Sequence, residues 1–296
     1  MALLYITTPI AIVLNSIPSL TIASVSHRKI KRLLKEMPQE TAKDELVEIS
    51  NWTSLKFEDI NYQYPTQFND EKAFEIGPLN LEIKRGEVTF IVGGNGSGKS
   101  TLSKLITQHY RPSAGNIYFD NQKVDDSNIT SFRNDIYAIY SSFYLFEQLL
   151  MDVDTETKAL IKHYLKEFHL DKKVSIDNGV FSTTQLSDGQ RKRLALLVGF
   201  LDDKGLYLFD EWAADQDPEF KHVFYTEILS DLKVKNKAVV VISHDDKYFS
   251  CADKILKMNN GQLQHLGRDE LTSFDVSKLN YSASFDPSSN TPQVSL

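Results

Sequence analysis

The 296-residue chain has one cysteine, Cys251. A single thiol closes no internal disulfide, and no cluster of Cys and His at zinc-ligand spacing accompanies it. Internal repeats are absent. Basic residues are outnumbered, with Lys plus Arg at 33 against Asp plus Glu at 40, for a net charge of −7. That deficit argues against nucleic acid as a main partner. Residues 1–26 contain no Asp, Glu, Lys or Arg at all. Elsewhere the composition is ordinary: 41% apolar, 11% aromatic and 25% charged residues exclude collagen-like and low-complexity classes for most of the chain. The length suits one or two domains and a sizeable core.

The uncharged run MALLYITTPIAIVLNSIPSLTIASVS meets His27, Arg28, Lys29, Lys31, Arg32 and Lys35. With five basic residues and no acidic one in residues 1–35, the rest of the chain holds −12 of the net −7. A secretory signal would carry its basic residues before the apolar stretch, not after it. A buried core helix is one reading. The other is a transmembrane helix, since about 20 mostly apolar residues cross a bilayer. The following basic cluster would then mark the cytoplasmic side. Pro9, Asn15 and Pro18 suit a helix packed among other membrane helices better than an isolated span. The expected division is therefore a transmembrane helix and basic edge over 1–35 and a polar linker over 36–52. A nucleotide-binding body follows over 53–268, and then a polar, disordered tail over 269–296, rich in Ser, Asn and Pro. Short β-rich runs alternate with helical stretches from about Leu55 to Leu266, which reads as α/β.

The apolar run Val88–Val92 leads directly into Gly93-Gly94-Asn95-Gly96-Ser97-Gly98-Lys99-Ser100-Thr101 and then a helical LSKLITQHY. This is G-x-x-x-x-G-K-[ST] in its required strand–loop–helix setting. Glycines let backbone N–H groups turn inward around phosphate oxygens. The helix N-terminus adds positive dipole. Lys99 supplies a charge to β and γ phosphates, and Ser100 offers a hydroxyl to Mg²⁺. Downstream, the apolar run Leu206–Phe209 ends in Asp210 and Glu211. In a phosphate-loop enzyme the first carboxylate holds Mg²⁺ and the second polarises water. Alone, two carboxylates at a strand end are equally explained by a surface turn.

Leu186-Ser187-Asp188-Gly189-Gln190 resembles the LSGGQ signature of ATP-binding cassette (ABC) proteins, with Asp188 in place of the middle glycine. Ser187 is also a good helix N-cap, and the two roles are compatible. The resemblance implies a P-loop NTPase cassette, with a mixed sheet core and a helical subdomain. It also implies that Ser187, Gly189 and Gln190 contact ATP held by an opposite cassette. Val239-Val240-Val241-Ile242-Ser243-His244 places His244 where the family has its switch histidine. Tyr64 stands where an adenine-stacking aromatic is expected. Ala214-Asp215-Gln216-Asp217 corresponds to the D-loop, with Asp217 in its acidic position.

One position departs from the family. Its Mg²⁺-binding Gln, about forty residues past the phosphate loop, is replaced by Ser141. The hydroxyl of Ser141 or a water is expected in the metal shell with Ser100 and Asp210. Gln148, seven residues later, reads as part of the following helix. The FEIGPLNL run at Phe74–Leu81, the missing Gln and Asp210-Glu211-Trp212-Ala213-Ala214-Asp215-Gln216-Asp217-Pro218 resemble bacterial cyclic-peptide exporters, including exporters of siderophore and peptide precursors. Those carry six membrane helices, of which the apolar start here is similar to the last.

The resemblance implies an exporter subunit that binds ATP and Mg²⁺. Glu211 and His244 would be catalytic. The partners would be a second cassette, as a homodimer, and an exporter membrane domain. The place would be the cytoplasmic side of the bacterial inner membrane. Two alternatives are a soluble non-transport cassette ATPase and an exporter fragment that hydrolyses ATP without transporting alone.

Overall fold

The computed structural model describes residues 2–36, 49, 52–64 and 74–266. The expected tail at 269–296 and most of the expected linker at 36–52 lie outside the described residues. The chain divides into two compact units, Met1–Glu45 and Leu46–Leu296.

In the first unit, α1 (Ala2–Glu36) is one helix of 35 residues. Among the described residues no helix is long and apolar enough to cross a membrane. α1 covers the segment expected as a transmembrane helix over 1–35. Within α1, Asn15, Ser16, Pro18, Ser19, Thr21 and Ser24 alternate with apolar residues before Arg28. Ser16 Oγ and Thr21 Oγ1 donate back to the carbonyls of Ile12 and Ile17, at 2.8 and 2.9 Å, so these polar groups coexist with the helix. Ile12, Leu14, Ile17, Leu20 and Ile22 are exposed.

The second unit is built on two sheets. An antiparallel sheet contains β1 (Ser54–Gln63), β2 (Glu75–Lys84), β4 (Ala114–Phe119) and β5 (Gln122–Lys123), in the order β2-β1-β4-β5. The larger sheet contains β3 (Val88–Gly93), β6 (Ile136–Ile139), β9 (Leu206–Asp210), β10 (Ala238–Ile242), β11 (Lys254–Asn259) and β12 (Gln262–Leu266), in the order β12-β11-β3-β10-β9-β6. Its four pairings from β11 to β6 are parallel, and only the edge strand β12 runs antiparallel. The hairpin β7 (Ile176–Asp177) and β8 (Val180–Phe181) stands apart.

β3, β9 and β10 are buried along their whole length, as strands covered on both faces should be. Their alternate residues serve two cores. Phe90, Val92, Tyr207, Phe209, Val239 and Val241 pack with one cluster, alongside Leu194, Leu197, Phe220 and Phe224. Ile91, Leu206, Leu208, Val240 and Ile242 join the other, with Leu55, Phe57, Leu81 and Leu102. The first core carries the helices α4 (Thr155–Glu167), α5 (Asp188–Asp202), α6 (Pro218–Val223) and α7 (Leu229–Val234). The second joins the two sheets around α2 (Lys99–Ile106), with the short α3 (Ile129–Asn134) beside it. Helix starts follow from local caps: Asp154 Oδ1 accepts from Thr157 N at 2.8 Å, and Ser187 with Gln190 forms a capping box on α5. The mixed α/β cassette expected from the sequence is present. Gln148 is a correction: it pairs with Val180 as an isolated β-bridge, and the following helix, α4, begins only at Thr155.

Candidate functional site

Three loops leave the C-terminal ends of three adjacent parallel strands. β10 lies between β3 and β9, with Ile242 opposite both Ile91 and Asp210. Such a rim is where ligands bind in α/β sheets. β3 supplies residues 93–98, β9 supplies Asp210 and Glu211, and β10 supplies Ser243 and His244.

The loop after β3 can be formed only with glycine at its two ends. Gly93 has φ +154°, and a Cβ there would sit 2.3 Å from Met258 O. Gly98 has φ +107° and would put a Cβ 2.9 Å from Ile76 Cγ2. Lys99, at the start of α2, is buried, and its Nζ donates to Gly93 O and Gly94 O at 2.8 and 3.0 Å. Burial lowers its pKa, while the charges of Glu211 and Asp210 oppose that shift. Ser97 Oγ is buried without a hydrogen-bond partner. A cavity of about 330 Å³ opens here, lined by Tyr64, Phe74, residues 95–101 and Glu211. This volume suits a small ligand.

Tyr64 forms one wall. Its hydroxyl lies 3.0 Å from Thr101 Oγ1, and its ring stands edge-on to Tyr62 and Tyr110, whose own rings stack at 4.9 Å. Lys104 Nζ donates to Tyr110 Oη at 3.1 Å and lowers the pKa of that phenol. Sequence reasoning quoted Phe74 at the start of the FEIGPLNL run but did not place it in the cavity, since it is separated from the loop in sequence.

Asp210 is buried at the end of β9. Burial raises its pKa, Glu211 adds to the shift, and Lys99 and Lys192 oppose it. Glu211 adopts φ +51° and ψ +33°, an uncommon backbone for a non-glycine residue. Its N–H donates to Ile242 O at 3.0 Å and its carbonyl accepts from Lys192 Nζ at 3.0 Å. Its carboxylate lies 3.4 Å from His244 Nε2. The structure therefore brings Tyr64, residues 95–101 and Glu211 to one cavity, with His244 against Glu211.

Other expected residues lie elsewhere. Ser141 is exposed just after β6 and does not line the cavity. Its neighbour Tyr140 turns toward α2 instead, with its hydroxyl 2.7 Å from Thr107 Oγ1. Ser187, Gly189 and Gln190 start α5, also outside the cavity lining. Gln190 is occupied as the reciprocal partner of Ser187, accepting from Ser187 N at 3.3 Å. Asp217 caps α6, accepting from Phe220 N at 2.9 Å, and pairs with Arg193.

The signature helix and the segment after Glu211 are knitted together by contacts that no sequence motif states. Lys192 is almost fully buried and pairs with Asp215 at 2.7 Å. Trp212 Nε1 donates to Lys192 O at 3.1 Å, and its ring stacks on Phe224 at 4.3 Å. Gln216 Nε2 donates to Gly189 O at 3.2 Å, and Arg193 Nε donates to Gln216 Oε1 at 2.8 Å.

A family model described as ABC transporter matches residues 76–214. The chain is 32% identical over 204 residues to the energy-coupling factor transporter ATP-binding protein EcfA1 of Mycoplasma genitalium, covering 65% of this chain and 73% of that protein. This chain belongs to the ABC transporter family. The family makes ATP the ligand and ATPase the enzyme class of the cassette. The ABC cassette is also 36% identical over 273 residues to the ATP-binding protein SyrD of Pseudomonas syringae pv. syringae, covering 88% of this chain and 48% of SyrD. Its fold is that of a bacterial Atm1-family ABC exporter with ATP bound, at a TM-score of 0.68 and 20% identity, over 88% of this chain and 47% of that one. The chain thus spans about half the length of these two relatives.

Proposed function

We propose that this chain is the ATP-hydrolysing part of an ABC exporter. The observation that carries the reading is the convergence of Lys99, Tyr64 and Glu211 on one cavity, with His244 Nε2 3.4 Å from the Glu211 carboxylate. The amides of residues 93–99 and Lys99 Nζ bind the phosphates, exchanging the loop carbonyls for phosphate oxygens. Ser100 and Thr101 extend that cradle at the start of α2. Tyr64, with Phe74, holds the base. Glu211 orients water toward the γ-phosphate, and His244 restrains the Glu211 carboxylate and contacts the transferring group.

The donor set near Lys99 suits Mg²⁺. Asp210 is a buried carboxylate whose pKa is raised by burial, so a nearby cation would relieve it, and Ser100 offers a hydroxyl in the first turn of α2. Mg²⁺ held there would neutralise charge on the β and γ phosphate oxygens. Ser141 is exposed just after β6, and its hydroxyl or a water would complete the shell of Ser100 and Asp210.

Ser187 and Gly189 would act on ATP bound to a second copy, placed head to tail. Asp217 and Gln190 support this by holding α6 and α5 rather than by touching nucleotide. The exposed apolar side chains of α1 would pack against the membrane domain of the exporter, with the cassette on the cytoplasmic side of a bacterial inner membrane. The DEWAADQDP run favours a cyclic peptide or siderophore-type compound as cargo.

The test is ATP turnover by the purified chain with Mg²⁺. Lys99→Ala should abolish nucleotide binding. Glu211→Gln should retain binding and lose turnover by at least a hundredfold. Wild-type turnover in Glu211→Gln would sink the reading.

A further inference from the structure

Residues 218–234 form a continuous helical run interrupted by one widened turn, a π-helical segment at Phe224–Ile228. No glycine or proline lies within 219–234 to account for it. π-turns inside α-helices are uncommon and concentrate at functional sites. This one contains Tyr225, which is fully buried and stacks on Tyr248 at 4.2 Å with 15° between the rings.

The Tyr225 hydroxyl reaches the loop that carries His244. It donates to Asp245 Oδ2 at 3.0 Å and lies 2.7 Å from Ser243 Oγ. A phenol has one proton, so Ser243 must be the donor in the second contact. Asp245 N in turn donates to Ser243 Oγ at 3.0 Å, which closes a ring of three hydrogen bonds around the residues flanking His244. Lys221 Nζ holds the other Asp245 oxygen, Oδ1, at 3.2 Å. Burial raises the Tyr225 pKa, so the hydroxyl stays protonated and able to donate. His244 itself is part-exposed, at 38% for its side chain, so packing alone does not hold the imidazole against Glu211.

We propose that Tyr225 is the positioning residue of His244: its hydroxyl ties the side chains of Ser243 and Asp245 on either side of the histidine and so holds Nε2 toward the Glu211 carboxylate. The inference rests on the reading of His244 as a participant in ATP hydrolysis. It assigns the π-turn a purpose, since an unbroken α-helix would rotate residue 225 relative to the residues before the turn.

The experiment is a double-mutant cycle on the full chain, with ATP turnover and the His244 ring resonance as readouts. Tyr225→Phe keeps the stacked ring and removes only the hydroxyl. It should lower kcat about tenfold and leave the KM for ATP within twofold, since misplacement of a positioned group acts on the chemical step. In the His244→Ala background the same substitution should change kcat by less than twofold, because its effect passes through the histidine. Asp245→Asn should reproduce this pattern, which covers the case of a poorly folding Tyr225→Phe. Equal losses in both backgrounds, or no loss in the wild type, would overturn the proposal. The His244 Cε1–H resonance, read without nucleotide, should shift in Tyr225→Phe, and an unchanged resonance would also overturn it. A turnover that survives Lys99→Ala would count against the ATPase reading instead, and the resonance would still decide the role of Tyr225.

Discussion

Lys192 Nζ donates to the backbone carbonyl of Glu211 at 3.0 Å, from a helix that starts at the signature residues. The same ammonium pairs with Asp215 at 2.7 Å, so a single cation ties both ends of the turn that follows β9. Lys192→Met keeps the length of the side chain and removes the charge. It should destabilise the fold by about 2 kcal/mol, the scale of a lost hydrogen bond to a charged group when the partner Asp215 can still reach water. Turnover should fall at least tenfold with ATP affinity retained, because the uncommon backbone of Glu211 loses a support. Urea unfolding and steady-state kinetics check the two halves. Unchanged kcat would show that Glu211 holds its place without Lys192.

Tyr64 should contribute through its ring more than its hydroxyl. Tyr64→Phe loses only the contact with Thr101 and should leave ATP affinity within about twofold. Tyr64→Ala removes a stacking surface worth about 1–3 kcal/mol and should weaken binding about tenfold. A fluorescent ATP analogue titrated against each variant reads this directly. Equal affinity for wild type and Tyr64→Ala would remove the tyrosine from the base site.

Ser187 combines a cap with a proposed contact to a second cassette, and two substitutions separate them. Ser187→Ala should cost about 1 kcal/mol of stability through the lost cap. Ser187→Asp restores a good cap but sets a negative charge where a γ-phosphate would approach. It should therefore unfold near the wild-type midpoint yet hydrolyse ATP at least tenfold more slowly. Wild-type turnover in Ser187→Asp would count against the head-to-tail arrangement.

Asp217 predicts a piece of the acid response. The Phe220 amide and, against slight burial, Arg193 hold its carboxyl below the ordinary carboxylate range. A depressed folded-state pKa contributes stability that is present above the unfolded value near 4 and is lost as pH falls through the lower folded value. Asp217→Asn can still cap α6 but does not titrate. Its unfolding free energy should fall less steeply than that of the wild type below about pH 4, as read by urea melts at successive pH values. Parallel curves would place the acid response elsewhere.

The parts of this protein that were legible in its sequence are those where one residue type admits one conformation or one chemistry. Gly93 and Gly98 are required by backbone that no Cβ would fit, and the all-apolar runs of β3, β9 and β10 mark strands buried on both faces. The cap at Ser187 could likewise be read from its residue type. What stayed hidden depends on distant contacts. Phe74 enters the cavity wall, Lys192 reaches Glu211, and Tyr225 reaches Ser243 and Asp245 only after the chain has folded, and no local pattern encodes those meetings. One expectation failed: Gln148, read as part of the following helix, instead bridges Val180 ahead of Thr155, where α4 starts. Ser141 is exposed just after β6.

The sheet order β3-β10-β9 sets neighbouring strands about 4.8 Å apart by backbone hydrogen bonds. The separation between the phosphate loop and Glu211 is therefore a property of main-chain atoms common to every amino acid. Drift among the apolar residues of these strands can loosen the core without changing that separation, so long as the ladder persists. Mutational tolerance of the scaffold and intolerance of its rim are two faces of one arrangement.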